Sequence, residues 1–173
     1  LGAIYVFRRT EDGWVETQKL APAAMEPMDR LGSGLAVDGD WLAVASISHG
    51  EDAGAVWTYR RDGDRWVEHS RVPVASQAGE QAGSELALTG GQLLVAIPSR
   101  GDNKGAVLAY RYDAESDGWV EGGALPTMGL TAGAGFGSSL SARDGVALVG
   151  APNFLNRTGM VYTFTLGEDG WTP

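Results

Sequence analysis

Cysteine is absent from the 173 residues of this sequence. That absence excludes a disulfide framework, a thiolate zinc site and a cysteine nucleophile. Histidine is nearly absent as well, because only His49 and His69 occur and neither has a repeated or nearby partner that suggests a nucleophile and a base. No Gly-x-Ser-x-Gly, Walker or His-Glu-x-x-His motif is found. We therefore expect no catalytic residue and no enzymatic activity in this segment.

Basic residues and long apolar runs are also scarce. The 13 lysines and arginines are outnumbered by 22 acids, which gives a formal net charge of −9. A nucleic-acid partner is not expected, because binding phosphates requires a basic stripe. No apolar run approaches the roughly 18 to 20 residues of a transmembrane helix, so the sequence predicts no membrane span.

Glycine, in contrast, is abundant and regularly placed. It accounts for 26 of 173 residues, and it falls between short apolar runs as turn punctuation. The tryptophans at 14, 66, 119 and 171 are spaced by 52, 53 and 52 residues, and the glycines at 2, 54, 105 and 159 by 52, 51 and 54. A fixed period of about 51 to 54 residues indicates a repeat architecture.

Each repeat is predicted to form four short antiparallel strands. Dipeptides such as Asp62-Gly63 and Asp117-Gly118 favour tight hairpins, and strands such as residues 42–45 and 93–96 are apolar throughout, as expected for strands covered on both faces. The predicted fold is all-β, a partial β-propeller of four-stranded blades. The repeat assigns residues 1–20 to the last two strands of a preceding blade, 31–72 and 82–123 to two blades, and 135–173 to a third blade truncated in its fourth strand. Because the sequence opens on Leu1 directly into a strand, we expect a fragment of a longer chain.

The last repeat resembles the FG-GAP repeat of integrin α-type propellers. Phe136-Gly137 and Gly150-Ala151-Pro152 match the motif, whereas the earlier repeats have drifted, with Leu31-Gly32 and Ala82-Gly83 at the Phe-Gly position. The tryptophan-bearing fourth strand and the short first hairpin are most similar to the bacterial secreted or surface branch. The resemblance implies an extracellular or cell-surface location.

The family's best-defined chemical site is a calcium loop between the first and second strands. Calcium takes six to eight oxygen ligands, which requires several carboxylates in a loop of roughly nine to twelve residues. Here the connection is about two to four residues long, with Asp38 and Asp40 in one repeat and Asp144 in another. We therefore expect no calcium and no other cofactor.

The loops between the second and third strands, residues 47–53, 98–104 and 152–158, differ from repeat to repeat. The links between blades, residues 21–31, 72–82 and 124–135, differ as well. Variable loops on a rigid scaffold are where recognition usually resides. The candidate recognition residues are His49, Glu51, Asp52, Arg100, Asp102, Asn103, Asn153, Asn156 and Arg157. The Arg100-Gly101-Asp102 tripeptide is attributed to coincidence, and Asn156-Arg157-Thr158 is a glycosylation sequon only in a eukaryotic secretory route. The structural anchors of the repeat are Trp14, Trp66, Trp119, Trp171, Gly32, Gly83, Gly137, Gly150 and Pro152.

Three functions are compatible with these features. The first is a non-catalytic module that recognises a protein or a glycan through the variable loops. The second is part of a propeller enzyme or lectin whose ligand lies in the central channel, and the third is a structural spacer in a large secreted protein. In each case the other partners are the remaining blades of a larger propeller, or further copies through self-association, since open sheet edges invite pairing.

Overall fold

A computed structural model describes residues 2–173; Leu1, the first residue of the predicted 1–20 segment, lies outside the described residues. Fourteen strands and three one-turn helical segments are present in the described residues. In chain order they are β1 (Ile4–Thr10), β2 (Gly13–Leu20), β3 (Leu31–Asp38), β4 (Trp41–Ser46), α1 (His49–Asp52), β5 (Ala55–Asp62), β6 (Arg65–Arg71), β7 (Leu86–Thr89), β8 (Gln92–Ile97), α2 (Arg100–Asn103), β9 (Ala106–Asp113), β10 (Gly118–Ala124), β11 (Ser139–Arg143), β12 (Val146–Ala151), α3 (Phe154–Arg157), β13 (Met160–Gly167) and β14 (Gly170–Thr172).

The strands form three four-stranded antiparallel sheets and one hairpin. The sheet orders are β3-β4-β5-β6, β7-β8-β9-β10 and β11-β12-β13-β14, and β1 pairs with β2. Every neighbour in a sheet is also a neighbour in sequence, because each connection is a tight turn or a short loop. The all-β, blade-like architecture predicted from the repeat is confirmed.

Successive sheets pack face to face, and each junction contains one apolar cluster. The first cluster lies between the β1–β2 hairpin and the β3–β6 sheet and includes Ile4, Val44 and Trp57. The second lies between the β3–β6 and β7–β10 sheets, and the third between the β7–β10 and β11–β14 sheets. The apolar residues 42–45 of β4 and 93–96 of β8 are buried on both sides by this stacking. The chain is therefore a row of blades with its cores between the blades.

The repeated tryptophans do not share one environment. Trp66 and Trp119 are buried in these junctions, and the Trp119 indole Nε1 donates a hydrogen bond to Thr58 Oγ1 at 3.1 Å across the interface. Trp171 is half-buried, but Trp14 is 71% exposed because no sheet of the described residues covers that face of the hairpin. Packing therefore accounts for the tryptophan at the internal junctions and not for Trp14.

The glycine anchors Gly83 and Gly137 lie just before the first strand of a blade, β7 or β11, where the chain approaches the preceding blade. Gly83 adjoins Ala45, and Gly137 adjoins Ala96. Gly150 faces Ser139 within its own sheet, whereas Gly32 has open space beside it and Pro152 is exposed. None of the helical segments in residues 2–173 is both long enough and apolar enough to cross a membrane.

Candidate functional site

The three loops between second and third strands share one backbone conformation, although their sequences differ. The segments α1, α2 and α3 are not right-handed helices, because residues 50–52, 101–103 and 155–157 all have positive φ between 45° and 68°. Each turn is closed by the same two backbone hydrogen bonds. In α1, Ala53 N–H donates to Gly50 O at 3.1 Å and Gly54 N–H to His49 O at 3.0 Å. The sequences of the three loops do not repeat, whereas their backbone is one left-handed turn repeated three times.

The carbonyl groups of these turns hold the link that leads into the next blade. Glu51 O, Asp52 O and Ala53 O accept hydrogen bonds of 2.9 to 3.1 Å from the N–H groups of residues 79, 81 and 82. In the next blade the carbonyls of residues 102–104 accept bonds of 2.8 to 2.9 Å from residues 133, 135 and 136. The variable loops and the links therefore form one continuous surface at the same end of the sheets.

A glycine ends each turn, and in the first two turns it lies at the point of closest approach between two blades. Gly105 has φ +89° and forms a parallel bridge with Phe136, so that a Cβ atom placed on Gly105 would lie 2.5 Å from Phe136 N. Gly54 meets the backbone of Ala82 in the same way. These repeated glycines were recognised in the sequence as markers of the period, and the structure shows that they permit backbone contact between blades.

Asp29 in the first link is buried and is hydrogen-bonded to the imidazole of His49 in α1. His49 Nδ1 lies 2.9 Å from Asp29 Oδ2, which also accepts a hydrogen bond from the Glu26 N–H at 2.7 Å. Ser46 Oγ donates to the Asp29 carbonyl. Burial alone would raise the pKa of Asp29, but the Glu26 N–H and the hydrogen bond and charge of His49 together outweigh it and hold the pKa below its ordinary value.

The second blade has the same arrangement with different residues. Arg100 Nη2 lies 2.9 Å from Glu80 Oε2, Arg100 Nε is 3.2 Å from both Glu80 oxygens, and Arg100 also donates to the Ala75 carbonyl. Burial again opposes ionisation, yet Arg100 and the Gln77 N–H hold the pKa of Glu80 below its usual range. In both blades the acid and its basic partner are 20 residues apart. We call each pair a link latch.

The third blade has an apolar counterpart of the latch. The equivalent residues are Ala134, which is buried, and Phe154, which packs beside it in the third junction cluster. The ring of Phe154 meets Tyr162 edge-on, at 79° and 6.4 Å, as the ring of His49 meets Trp57 at 79° and 5.3 Å. The position is therefore structural in all three blades, and its polar versions in the first two blades stabilise the link.

Sequence reasoning missed Asp29 and Glu80. Asp29 and Glu80 lie two residues before the dipeptides Leu31-Gly32 and Ala82-Gly83 begin. Their partners His49 and Arg100 lie five residues before the glycine that ends each turn. The equal distances of these residues from the repeated glycines were the signal in the sequence that could have identified the pairs.

The structure divides the nine candidate recognition residues into two groups. His49 and Arg100 are partly buried and form the latches described above. The other seven side chains are exposed: Glu51, Asp52, Asp102, Asn103, Asn153, Asn156 and Arg157. In the Arg100-Gly101-Asp102 tripeptide the guanidinium is therefore held against Glu80, while Asp102 is open to solvent.

A different polar cluster lies at the outer part of the second junction. The imidazole of His69 is 4.9 Å from Trp41, ring to ring, and its Nε2 lies 3.1 Å from Asp117 Oδ1. Tyr112 donates to the same oxygen, and the hydrogen bonds from Tyr112 and His69 lower the pKa of Asp117. His69 reaches this cluster because it occupies a β-bulge in β6, between the pairs Tyr59↔Glu68 and Thr58↔Ser70. Among residues 2–173 no three histidine or acidic side chains converge on a possible metal position.

The latches predict a specific loss of stability in acid. A carboxyl whose pKa is lowered in the folded chain stabilises it above the unfolded pKa, and that stabilisation is lost as the pH falls from about 4 through the lower folded value. We expect the urea midpoint to fall less between pH 7 and pH 3 in Glu80→Gln than in the unchanged chain.

Asp64→Asn is the matched control for that measurement. The pKa of Asp64 is also lowered, chiefly by its hydrogen bond with Arg8, but this pair is exposed on the surface. Exposed pairs contribute little to stability, so Asp64→Asn should keep the full acid dependence. An equal effect of both substitutions would contradict the special role of the buried latch.

No family model matches the chain, and no curated protein sequence shows significant similarity to it.

Proposed function

We propose that the chain is a non-catalytic recognition module of the β-propeller type, binding a protein or a glycan through the surface formed by α1–α3 and the adjoining links. One observation carries this proposal. Three turns with the same left-handed backbone present three different pairs of exposed side chains, at residues 51–52, 102–103 and 156–157. A constant scaffold with variable exposed side chains is typical of a binding surface.

The exposed pairs supply the chemistry for such binding. Glu51 with Asp52 offers two carboxylates, Asp102 with Asn103 a carboxylate and an amide, and Asn156 with Arg157 an amide and a guanidinium. Carboxylates and amides accept hydrogen bonds from sugar hydroxyls and basic side chains, and a guanidinium donates to carboxylates. All three turns are closed by backbone hydrogen bonds, and the first two are also bonded to the links, so that little ordering of the backbone opposes binding.

We further propose membership in the FG-GAP family and an extracellular or surface location. Phe136-Gly137 lies one residue before the start of β11, and Gly150-Ala151-Pro152 spans the end of β12, which supports this proposal. Further blades are the expected neighbours of the last sheet. Leu148 and Val161 are exposed there, whereas the equivalent Leu94 and Val107 in the preceding blade are fully buried in the next junction.

A ligand site in the central channel is the second candidate, because the first strands of the three blades line a common cavity. An open cavity of about 710 Å³ lies at the hairpin end of β3, β7 and β11. Asp38, Thr89, Arg143 and Asp144 are among its lining residues, so its polar groups include both charges. This arrangement favours the lectin or enzyme alternative if ligand binding depends on Arg143.

The test compares two matched triple variants on glycan and protein arrays. The loop-surface variant combines Glu51→Ala, Asp102→Ala and Asn156→Ala. The control combines Asp62→Ala, Glu115→Ala and Glu168→Ala, all exposed on the hairpins at the opposite end of the sheets. For any probe bound by the unchanged chain, we expect at least a tenfold weaker affinity in the loop variant and no change in the control. Loss only in the control variant or in Arg143→Ala would contradict the loop surface as the binding site.

A further inference from the structure

One edge of β1 has no partner strand in the part of the chain that the structure describes. β1 pairs with β2 on one side only, whereas its equivalents β5, β9 and β13 each lie between two strands. The free edge therefore presents unpaired backbone N–H and C=O groups, which readily accept another strand.

Beside this edge lies an apolar slot, which we define by Tyr5 and Phe7 of β1 and by Leu35, Val37 and Leu42 on β3 and β4. These residues are among those lining an open cavity of about 390 Å³. The exposed fractions are 49% for Tyr5, 51% for Phe7, 52% for Leu35 and 63% for Val37. Their equivalents in the following blade are all buried, Trp57 and Tyr59 in the first junction cluster and Leu86 and Leu88 in the second. The slot thus joins apolar surface that belongs to two successive junctions, each of which is covered in a complete blade.

The slot is continuous with an interface that already exists. Ile4, Leu42 and Trp66 line the cavity and also belong to the apolar cluster between the hairpin and the first complete blade. An occupant would therefore extend that junction rather than form a separate contact.

The next junction along the chain shows which occupant fits. There Leu86, Leu88 and Leu93 are covered by the small residues Ala43 and Ala45 of β4. By position, Leu86, Leu88 and Leu93 correspond to Leu35, Val37 and Leu42 of the slot. In the third junction the covering strand instead has Leu94, and it meets the smaller Ala147. Because the slot presents large side chains, a strand that covers it needs small side chains at the facing positions.

We propose that the slot is a binding site for a β-hairpin of this repeat's own first-hairpin type, with alanine at the two positions that face Leu35 and Leu42. Its second strand pairs antiparallel with the free edge of β1, in the register in which Leu42 opposes Tyr59 and Val44 opposes Trp57 in the complete blade. The two alanines of the bound hairpin pack against Leu35 and Leu42, and the first strand of the hairpin covers Val37.

The probe is a fluorescein-labelled synthetic peptide with the sequence of residues 31–46, which form the β3–β4 hairpin and carry Ala43 and Ala45. It is added to the full 173-residue chain and followed by fluorescence anisotropy. We expect saturable binding. A peptide with Ala43→Leu and Ala45→Leu should bind at least tenfold more weakly, because overpacking of a well-matched interface is destabilising.

Two variants of the chain locate the binding. Leu35→Asp places a charge in the slot and should weaken binding at least tenfold, while Val120→Asp alters an exposed valine of β10 outside the slot and should not change it. Circular dichroism and a cooperative urea transition establish that each variant is folded.

Three results would overturn the proposal. Failure of the unchanged peptide to bind the folded chain is the first, and equal binding of the alanine and leucine peptides is the second. The third is concentration-dependent dimerisation that Leu35→Asp abolishes and the peptide does not reverse, which would make a second copy of the chain the occupant.

Discussion

Gly105→Ala is expected to destabilise the chain by about 2 to 5 kcal/mol, because it combines two costs. The φ of +89° is unfavourable for any residue with a Cβ atom, at roughly 1 to 2 kcal/mol. The added Cβ would also meet Phe136 N and Phe136 C at 2.5 and 2.8 Å, so one blade must move away from the other, at a further 1 to 3 kcal/mol by analogy with overpacked cores. The measurement is the change in the free energy of unfolding in urea.

Gly101→Ala separates the two costs. Gly101 also has positive φ, +59°, but a Cβ atom there would have nothing within 4 Å. Leu155 occupies the equivalent position in the third turn, with φ 45°, so a side chain is tolerated there. We expect a loss of about 1 kcal/mol. If Gly101→Ala and Gly105→Ala cost the same, the close approach of the blades contributes nothing to the requirement for glycine.

Arg100→Ala should cost about 2 to 4 kcal/mol, and a second substitution should restore most of the loss. The single change leaves the largely buried Glu80 carboxylate with the Gln77 N–H as its remaining hydrogen-bond donor, and an uncompensated charge in such a place is strongly destabilising. The double variant Glu80→Ala/Arg100→Phe recreates the Ala134–Phe154 pair of the third blade.

Replacing a buried ion pair by well-packed apolar groups is often neutral or stabilising. We therefore expect the double variant to lie within about 1 kcal/mol of the unchanged chain in urea unfolding. The matched control is Arg111→Ala, which removes an exposed arginine whose nearest acid, Asp113, lies 3.8 Å away, and which should have little effect. If the double variant is as unstable as Arg100→Ala, the latch position does not accept an apolar pair in the second blade.

The fold was predictable from the sequence because its turns are chemically explicit. Asp117-Gly118 and its counterparts mark hairpins, and residues 42–45 and 93–96 mark strands buried on both faces, so a spacing of about 52 residues is enough to place four strands per blade. The location of the variable loops at one end of the sheets follows from antiparallel connectivity alone. These features depend on local chemistry repeated several times.

The conformation of the loops was not predictable in the same way. Glu51, Leu155 and Arg157 have no intrinsic preference for positive φ, and they adopt it because the closing hydrogen bonds and, in the first two turns, the link of the next blade hold them there. Each link latch joins a residue of a link to a residue of a turn. The residue types change from an acid and a basic side chain in the first two blades to an apolar pair in the third. A pattern search for repeated residue types does not detect a position that keeps its role while changing its chemistry.

The exposure of Trp14 has a similar cause. Trp14 occupies the same position in its repeat as Trp66 and Trp119. Burial depends on which sheet lies next to the side chain, and no sheet of residues 2–173 covers that face of the hairpin. The repeat in the sequence predicts which side chains each blade presents. It does not predict which of them a neighbouring blade buries.

The left-handed turns also make the molecule a natural framework for combinatorial diversification. Their shape is set by backbone bonds and by the glycine that follows, so residues 51, 52, 102, 103, 156 and 157 are exposed without contributing to any of the three apolar clusters. Asparagine, aspartate and glycine tolerate this backbone best, so a library enriched in them at the six sites would change the outward chemistry of the surface while retaining the same three turns.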